Sequence, residues 1–246
     1  MKSFSQHAYD RDHELALMED FMREGVNDPG IFKAFFTAGG PGSGKSYVAS
    51  RAGVGKLSPY GLKVVNSDNQ YEKLLKDAGM AMNPENIFSP KGQEIRGRAK
   101  ALTAKQQTGY IQGRLGLLID GTGKDYTKIK KTSDSLRKIG YDTYMMFVNT
   151  SLDTAQQRNM MRERKLEPDE VAEMWKAVQS NMGKFQGLFG RNFALVDNSN
   201  FLKPEAAQKK FGMIAKKYID KFIKQPIRNA RGRNWVKHQM ILKGKK

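Results

Sequence analysis

Residues 31–46 read IFKAFFTAGGPGSGKS, and this stretch decides the fold. Its first half, IFKAFFTAG, is an apolar run of strand length and suits a buried strand. Its second half, GGPGSGKS at 39–46, matches G-x-x-x-x-G-K-[ST]. Glycines let such a loop curl so that several backbone N–H groups face one anion. A helix expected from about Lys45 to Ala52 adds the positive end of its dipole. Lys45 is then placed to bridge the β- and γ-phosphates of a nucleotide, and Ser46 to ligate Mg²⁺. Gly39, Gly40, Pro41, Gly42, Ser43, Gly44, Lys45 and Ser46 are therefore the candidate ATP-binding residues. A Gly-rich turn alone can match the pattern by chance; the strand before it and the helix after it supply the context that a phosphate loop needs.

The flanking sequence repeats one rhythm. Strands are expected at Leu62–Asn66, 115–120 (LGLLID), 141–149 (YDTYMMFVN) and 193–197 (FALVD). Helical segments separate them at 71–79, 92–112, 125–139, 152–165 and 168–186, and a last amphipathic helix spans 204–224. Alternating strands and helices imply an α/β fold with a parallel sheet of about five strands, flanked by helices. In such sheets ligands bind beyond the C-terminal ends of the strands. The expected organisation is an N-terminal helical segment at 1–30, a P-loop kinase domain at 31–224 and a basic C-terminal tail at 225–246.

Charge is the strongest compositional signal. Lys and Arg number 43 against 25 Asp and Glu, a net of +18. Residues 1–30 hold 3 basic and 7 acidic residues, whereas 221–246 hold 9 basic and no acidic residues. This balance suits a polyanionic partner such as nucleic acid or nucleotide phosphates, or else a solvated surface. There is no cysteine, so neither a disulfide framework nor a thiolate metal site is expected. No signal peptide and no apolar run of the ~20 residues needed to span a bilayer is visible. The expected location is cytoplasmic, and the host cytoplasm if the chain is phage-encoded.

What the γ-phosphate meets separates kinases from motors and switches. Asp120, ending the third strand, is followed by Gly121 and not by the Glu that activates water in many ATPases. A kinase needs a carboxylate near the acceptor hydroxyl, and Asp68, just past the second strand in VVNSDNQY, is placed for it. The other reading of Asp68 is a helix N-cap; the two roles can coexist, and the catalytic one is favoured. Kinases also need a movable cationic lid that neutralises the transferring group and excludes water. In QRNMMRERK (157–165), Arg158, Arg162 and Lys165 share one helix face at i, i+4 and i+7, with Arg164 in reserve. Any one of these could instead belong to a solvated helix face.

With these residues assembled, the chain resembles the zeta-toxin and polynucleotide-kinase branch of P-loop kinases. It resembles zeta toxins at GxPGSGKS, at the Asp after the second strand, at Asp120-Gly121-Thr122 and at Asp197-Asn198-Ser199. It resembles bacteriophage-type polynucleotide kinases at Asp68 and at R-N-x-x-R, here Arg158, Asn159 and Arg162. The resemblance covers roughly residues 31–200. It implies that Asp68 is the general base, that Asp120 positions Mg²⁺ or the acceptor, and that Arg158 and Arg162 stabilise the transition state. It also implies that the Asp197 and Asn198 loop lies near the nucleotide base. One departure concerns the polynucleotide side: the basic residue expected soon after the catalytic Asp is absent, and Asn69-Gln70-Tyr71-Glu72 stands there. No phosphatase module is visible.

Three functions remain open on sequence. The first is a kinase of a nucleic-acid 5′-hydroxyl or nucleotide, supported by the charge of Lys91, Arg96, Arg98, Lys100, Lys105 and Arg114. The second is a zeta-toxin-like kinase of a nucleotide sugar such as UDP-N-acetylglucosamine. The third is a nucleotide-binding module without turnover. In the tail, Arg231, Arg233 and Lys237 surround Trp235, a combination suited to single-stranded nucleic acid, unless Trp235 and Ile241 dock back on the body.

Overall fold

Strand β1, Lys33–Ala38, is the axis of the structure, with all six residues buried. The computed structural model describes residues 26–45, 61–161, 165–199 and 204–243, with the side chains of 204–211 and 215 outside that description. Residues 1–25 of the expected N-terminal helical segment, the helix beyond Lys45, and Ser46, Arg162 and Arg164 lie outside the described residues. β1 pairs in parallel with β3 (Gly116–Asp120) on one side and β4 (Asp142–Asn149) on the other. β2 (Leu62–Val65) and β5 (Phe193–Asp197) complete a five-stranded parallel sheet in the order β2-β3-β1-β4-β5. This is the expected doubly covered α/β sheet.

The side chains of the central strands alternate between two apolar layers. Ala34 and Phe36 of β1, with Met145 and Phe147 of β4, face a cluster that includes Leu136, Val178, Phe185 and Phe189. Phe35, Tyr144, Met146 and Val148 face the other side, where Ile219 and Phe222 cover them. The helices are α1 (Ser67–Asp77), α2 (Pro84–Phe88), α3 (Pro90–Gln112), α4 (Tyr126–Lys138), α5 (Leu152–Met160), α6 (Pro168–Phe189), α7 (Pro204–Ile223) and α8 (Ala230–Leu242). Their starts follow local chemistry: Asn66, Asn83, Ser89, Asp125, Ser151 and Asn229 each cap an N-terminus, and Pro begins α2, α3 and α6. No described helix is long and apolar enough to cross a membrane.

Two elements differ from expectation. The helix expected over 152–165 stops at Met160. Asn159 turns its side-chain amide onto the backbone of Leu166, donating to the carbonyl at 2.7 Å and accepting from the N–H at 3.0 Å. This closes a turn before α6, so Lys165 does not extend the helix face that carries Arg158. In the basic tail, residues 230–242 form α8, which packs on the starts of β1 and β4. Trp235 meets Phe32 edge to face with centroids 5.4 Å apart, so its ring is half-buried and not offered to a base, whereas Ile241 stays exposed. The backbones of Gly232 and Gly140 meet so closely that a Cβ on Gly140 would lie 2.9 Å from the Gly232 nitrogen.

Two buried charges bolt this region down. Lys33, 3% exposed, donates to the carbonyls of Phe222 (3.1 Å), Ile223 and Gln225, at the C-terminal end of α7. That end carries partial negative charge, so an ammonium suits it. The Asp142 carboxylate accepts from the backbone N–H of Arg228 (2.6 Å) and Asn229 (3.0 Å), just before α8. Burial pushes the Lys33 amine from its ordinary 10.5 down to about 8, with Asp142 pulling in the opposite direction.

Candidate active site

The phosphate loop leaves β1 between two neighbours that hold it from either side. Gly39 donates its N–H to the Thr122 carbonyl at 3.0 Å, tying the loop to the turn after β3. Asn198, after β5, donates its side-chain amide to the Ser43 carbonyl at 2.7 Å. Arg158, at the end of α5, donates to the Gly42 carbonyl at 2.9 Å. Gly42 has φ +71°, and a Cβ there would meet the Ala155 carbonyl oxygen at 2.8 Å, so the backbone of α5 presses directly on the loop. The loop is thus fixed through the Gly39 N–H and the carbonyls of Gly42 and Ser43. The Ser43 hydroxyl oxygen is buried without a hydrogen-bond partner, as suits a donor that waits for an anion inside the loop. Burial lowers the Arg158 guanidinium below its ordinary value.

Asp120 lies at the C-terminal end of β3, level with Thr37 of β1. Its Oδ1 accepts from the Thr37 hydroxyl at 2.5 Å, and its Oδ2 accepts from the Asn66 amide at 2.9 Å. Asn66 in turn accepts the Asp68 N–H at 2.8 Å and caps α1. One continuous chain of hydrogen bonds therefore runs from the strand that carries the phosphate loop, through Asp120 and Asn66, to the base candidate. The N-cap expected at Asp68 is instead Asn66; Asp68 lies in the first turn of α1 and lines the cleft. Its Oδ1 receives Arg96 from α3 at 3.1 Å.

Beyond these residues opens a cleft of about 1090 Å³. It is lined by Asp68, Asp120, Gly121 and Thr122, by Arg96 and Lys100 of α3, and by Lys124, Lys128 and Lys184. Asn181 also lines it, donating its amide to the carbonyls of Gly123 (3.1 Å) and Lys124 (2.8 Å). This volume is just above the range of small-molecule sites, roughly 300–1,000 Å³.

The sequence-derived candidates sort as follows. Gly39, Gly40, Pro41, Gly42, Ser43, Gly44 and Lys45 form the loop, while Ser46 and Arg162 fall outside the described residues. Asp68 and Asp120 meet through Asn66, and Arg158 reaches the loop from behind. Asp197 accepts from the N–H and hydroxyl of Ser199, and this turn aims Asn198 at the loop. Of the basic residues of α3, Arg96 and Lys100 line the cleft, whereas Lys91, Arg98 and Lys105 do not. Sequence reasoning missed Thr37, Asn66 and Trp175, whose indole donates to the Thr150 carbonyl at 2.6 Å and whose backbone lies 3.7 Å from a Cβ placed on Gly40. Asn66 carried a signal, an N-cap residue directly after a strand. Among the described residues no group of three or more His, Cys, Asp or Glu forms a metal cage.

Comparison with known proteins bears on the fold and the family. No curated protein matches the chain. A chain from the PezAT chromosomal toxin–antitoxin system of the human pathogen Streptococcus pneumoniae shares the fold, with a TM-score of 0.53 at 12% identity over 90% of this chain and 98% of that one. An AvrRxo1-ORF1:-ORF2 complex with ATP gives 0.54 at 14% identity over 92% of this chain and 84% of that one. The model of the zeta toxin family matches residues 26–182, well over half of the 246, and the chain belongs to that family.

Proposed function

We propose that this chain is an ATP- and Mg²⁺-dependent kinase that phosphorylates the hydroxyl of a nucleic-acid 5′ end or of a nucleotide. Family membership and fold support ATP-dependent phosphoryl transfer. The observation that carries the acceptor reading is the cleft, where Asp68, linked through Asn66 to Asp120, shares the lining with Arg96, Lys100, Lys124, Lys128 and Lys184. The Oδ2 of Asp68 meets no donor among the described residues and is placed to take the proton of an acceptor hydroxyl. The acceptor oxygen then bonds to the γ-phosphorus, the bond to the β-phosphate oxygen breaks, the proton passes to Asp68, and ADP leaves.

Lys45 binds the β- and γ-phosphates and lowers their charge. Arg158, with Arg162, belongs to the group that neutralises the transferring phosphoryl, and Arg158 already grips the loop through Gly42. Asp197 and Asn198 shape the nucleotide side of the loop. Asp120 and Ser46 are the residues that would hold Mg²⁺. Mg²⁺ is commonly bound by one or two protein oxygens, with phosphates and water completing its shell. Such an ion would add positive charge where the bond between the phosphates breaks.

A second reading, a nucleotide-sugar kinase, is favoured by Asp120-Gly121-Thr122 lining the same cleft in a zeta toxin family member. The deciding experiment is transfer of labelled γ-phosphate to a 5′-hydroxyl oligonucleotide, free nucleosides and UDP-N-acetylglucosamine, with Asp68→Asn as control. Label on the oligonucleotide or nucleoside, lost in Asp68→Asn while ATP affinity is kept, supports the first reading. Label on the sugar nucleotide supports the second. ATP binding without transfer to any acceptor would overturn both in favour of a non-catalytic module.

A further inference from the structure

We infer that Arg96 reads an anionic group beside the hydroxyl that is phosphorylated, and that with Lys100 it restricts the cleft to phosphate-bearing acceptors. This rests on the reading of Asp68 as the base. The sequence has no basic residue in the four positions after Asp68, yet the fold supplies one from α3, 28 residues further along. The Arg96 guanidinium donates through Nη2 to Asp68 Oδ1 at 3.1 Å. Its face lies on the ring of Tyr71, 4.9 Å from the centroid, and Tyr71 is 1% exposed and therefore a fixed platform. A guanidinium held by one N–H and one face keeps its other N–H groups for a second oxyanion. Those groups meet no acceptor among the described residues, and the side chain, 33% exposed, lines the cleft.

Lys100 stands one turn further on the same face of α3 and also lines the cleft. No ion pair holds it among the described residues. Arg96 and Lys100 thus make a two-cation seat whose inner edge touches the base. An acceptor with a phosphate one sugar away from its free hydroxyl can bind the seat and place that hydroxyl at Asp68 together. A neutral nucleoside or sugar can reach Asp68 only without that anchor. The chemical class is a nucleoside phosphate or the 5′-hydroxyl end of a polynucleotide.

Two measurements on the full chain test this. The first saturates the phosphate loop with a non-hydrolysable ATP analogue and titrates inorganic pyrophosphate by calorimetry. Arg96→Gln and Lys100→Gln should each weaken its binding about tenfold or more, the range of one charge-assisted hydrogen bond to phosphate. Lys100 is exposed, so its variant folds even if Arg96→Gln does not. No pyrophosphate binding by the unmodified chain, or equal affinity in both variants, overturns the inference. The second compares transfer to a nucleoside and to the same nucleoside carrying a 3′-phosphate. The unmodified chain should prefer the phosphorylated acceptor by a lower KM, and Arg96→Gln should lose that preference while its KM for ATP stays put. Equal loss of kcat on both acceptors would make Arg96 a support for Asp68 alone and overturn the anion seat. Should no acceptor be phosphorylated by any form, the proposed function fails, and the pyrophosphate titration still decides the seat.

Discussion

Replacing Lys33 by Met should reverse the normal expectation that losing a buried cation's hydrogen bonds is costly at every pH. Lys33 is 3% exposed, and burial takes its amine from 10.5 to about 8. The native chain therefore releases this proton near pH 8, and the unfolded chain near pH 10.5. Below pH 8 both states hold the proton, and the cost of burying the charge is felt in full. Between the two values the unfolded state binds one proton more, so stability rises with pH. At 1.36 kcal/mol per unit, the gain across the window is about 3 kcal/mol. Lys33→Met has no such step. The assay is denaturant unfolding of both proteins from pH 7 to 11, read as the difference in unfolding free energy. Burial also raises the phenols of Tyr141 and Tyr144, which costs stability above pH 10, but both proteins share that loss and the difference removes it. The difference should climb by about 3 kcal/mol from pH 8 to 10.5 in favour of the unmodified chain. A flat or falling difference would refute the reasoning. It would mean that the carbonyls of Phe222, Ile223 and Gln225 hold the proton at least as firmly as water does.

Three further outcomes follow from the geometry. Asn66→Ala removes both the cap of α1 and the donor to Asp120; it should cost about 1 kcal/mol of stability and lower kcat with little change in ATP KM. Arg158→Gln frees the Gly42 carbonyl and removes a cation beside the loop; transfer should fall on the order of a hundredfold, and a variant with normal kcat would exclude Arg158 from the site. Asp142→Asn sets an amide N–H₂ against one of the two N–H groups that its carboxylate accepts, and should cost roughly 2–4 kcal/mol. In a Trp175→Phe background the fluorescence of Trp235 would report whether α8 leaves the body before the sheet unfolds.

The sheet was legible because its signals are local. IFKAFFTAG, LGLLID, YDTYMMFVN and FALVD are apolar runs with turn residues at their ends, and each strand lies within a residue or two of its expected bounds. The phosphate loop was legible for the same reason. What stayed hidden depends on contacts between distant residues. The helix of 152–165 ends early because Asn159 captures Leu166, a choice that helix propensity does not register. Helix α8 was disguised by its basic residues; its anchors, Gly140 and Asp142, lie some ninety residues earlier in the chain. Charge along α3 was visible, but only the crossing of α3 over α1 shows that Arg96 touches Asp68 while Arg98 does not.

The position of α8 has a practical consequence. It packs on the first residues of β1 and β4, whereas the phosphate loop and the cleft open from their last residues. Four residues separate Lys33 from Thr37, about 13 Å at the usual strand rise. Ile241 and Leu242, 64% and 66% exposed, lie on this helix and do not line the cleft. A dye or surface linker attached there would leave the mouth of the cleft facing solvent, so the protein could be immobilised in one defined orientation for single-turnover or surface-binding work.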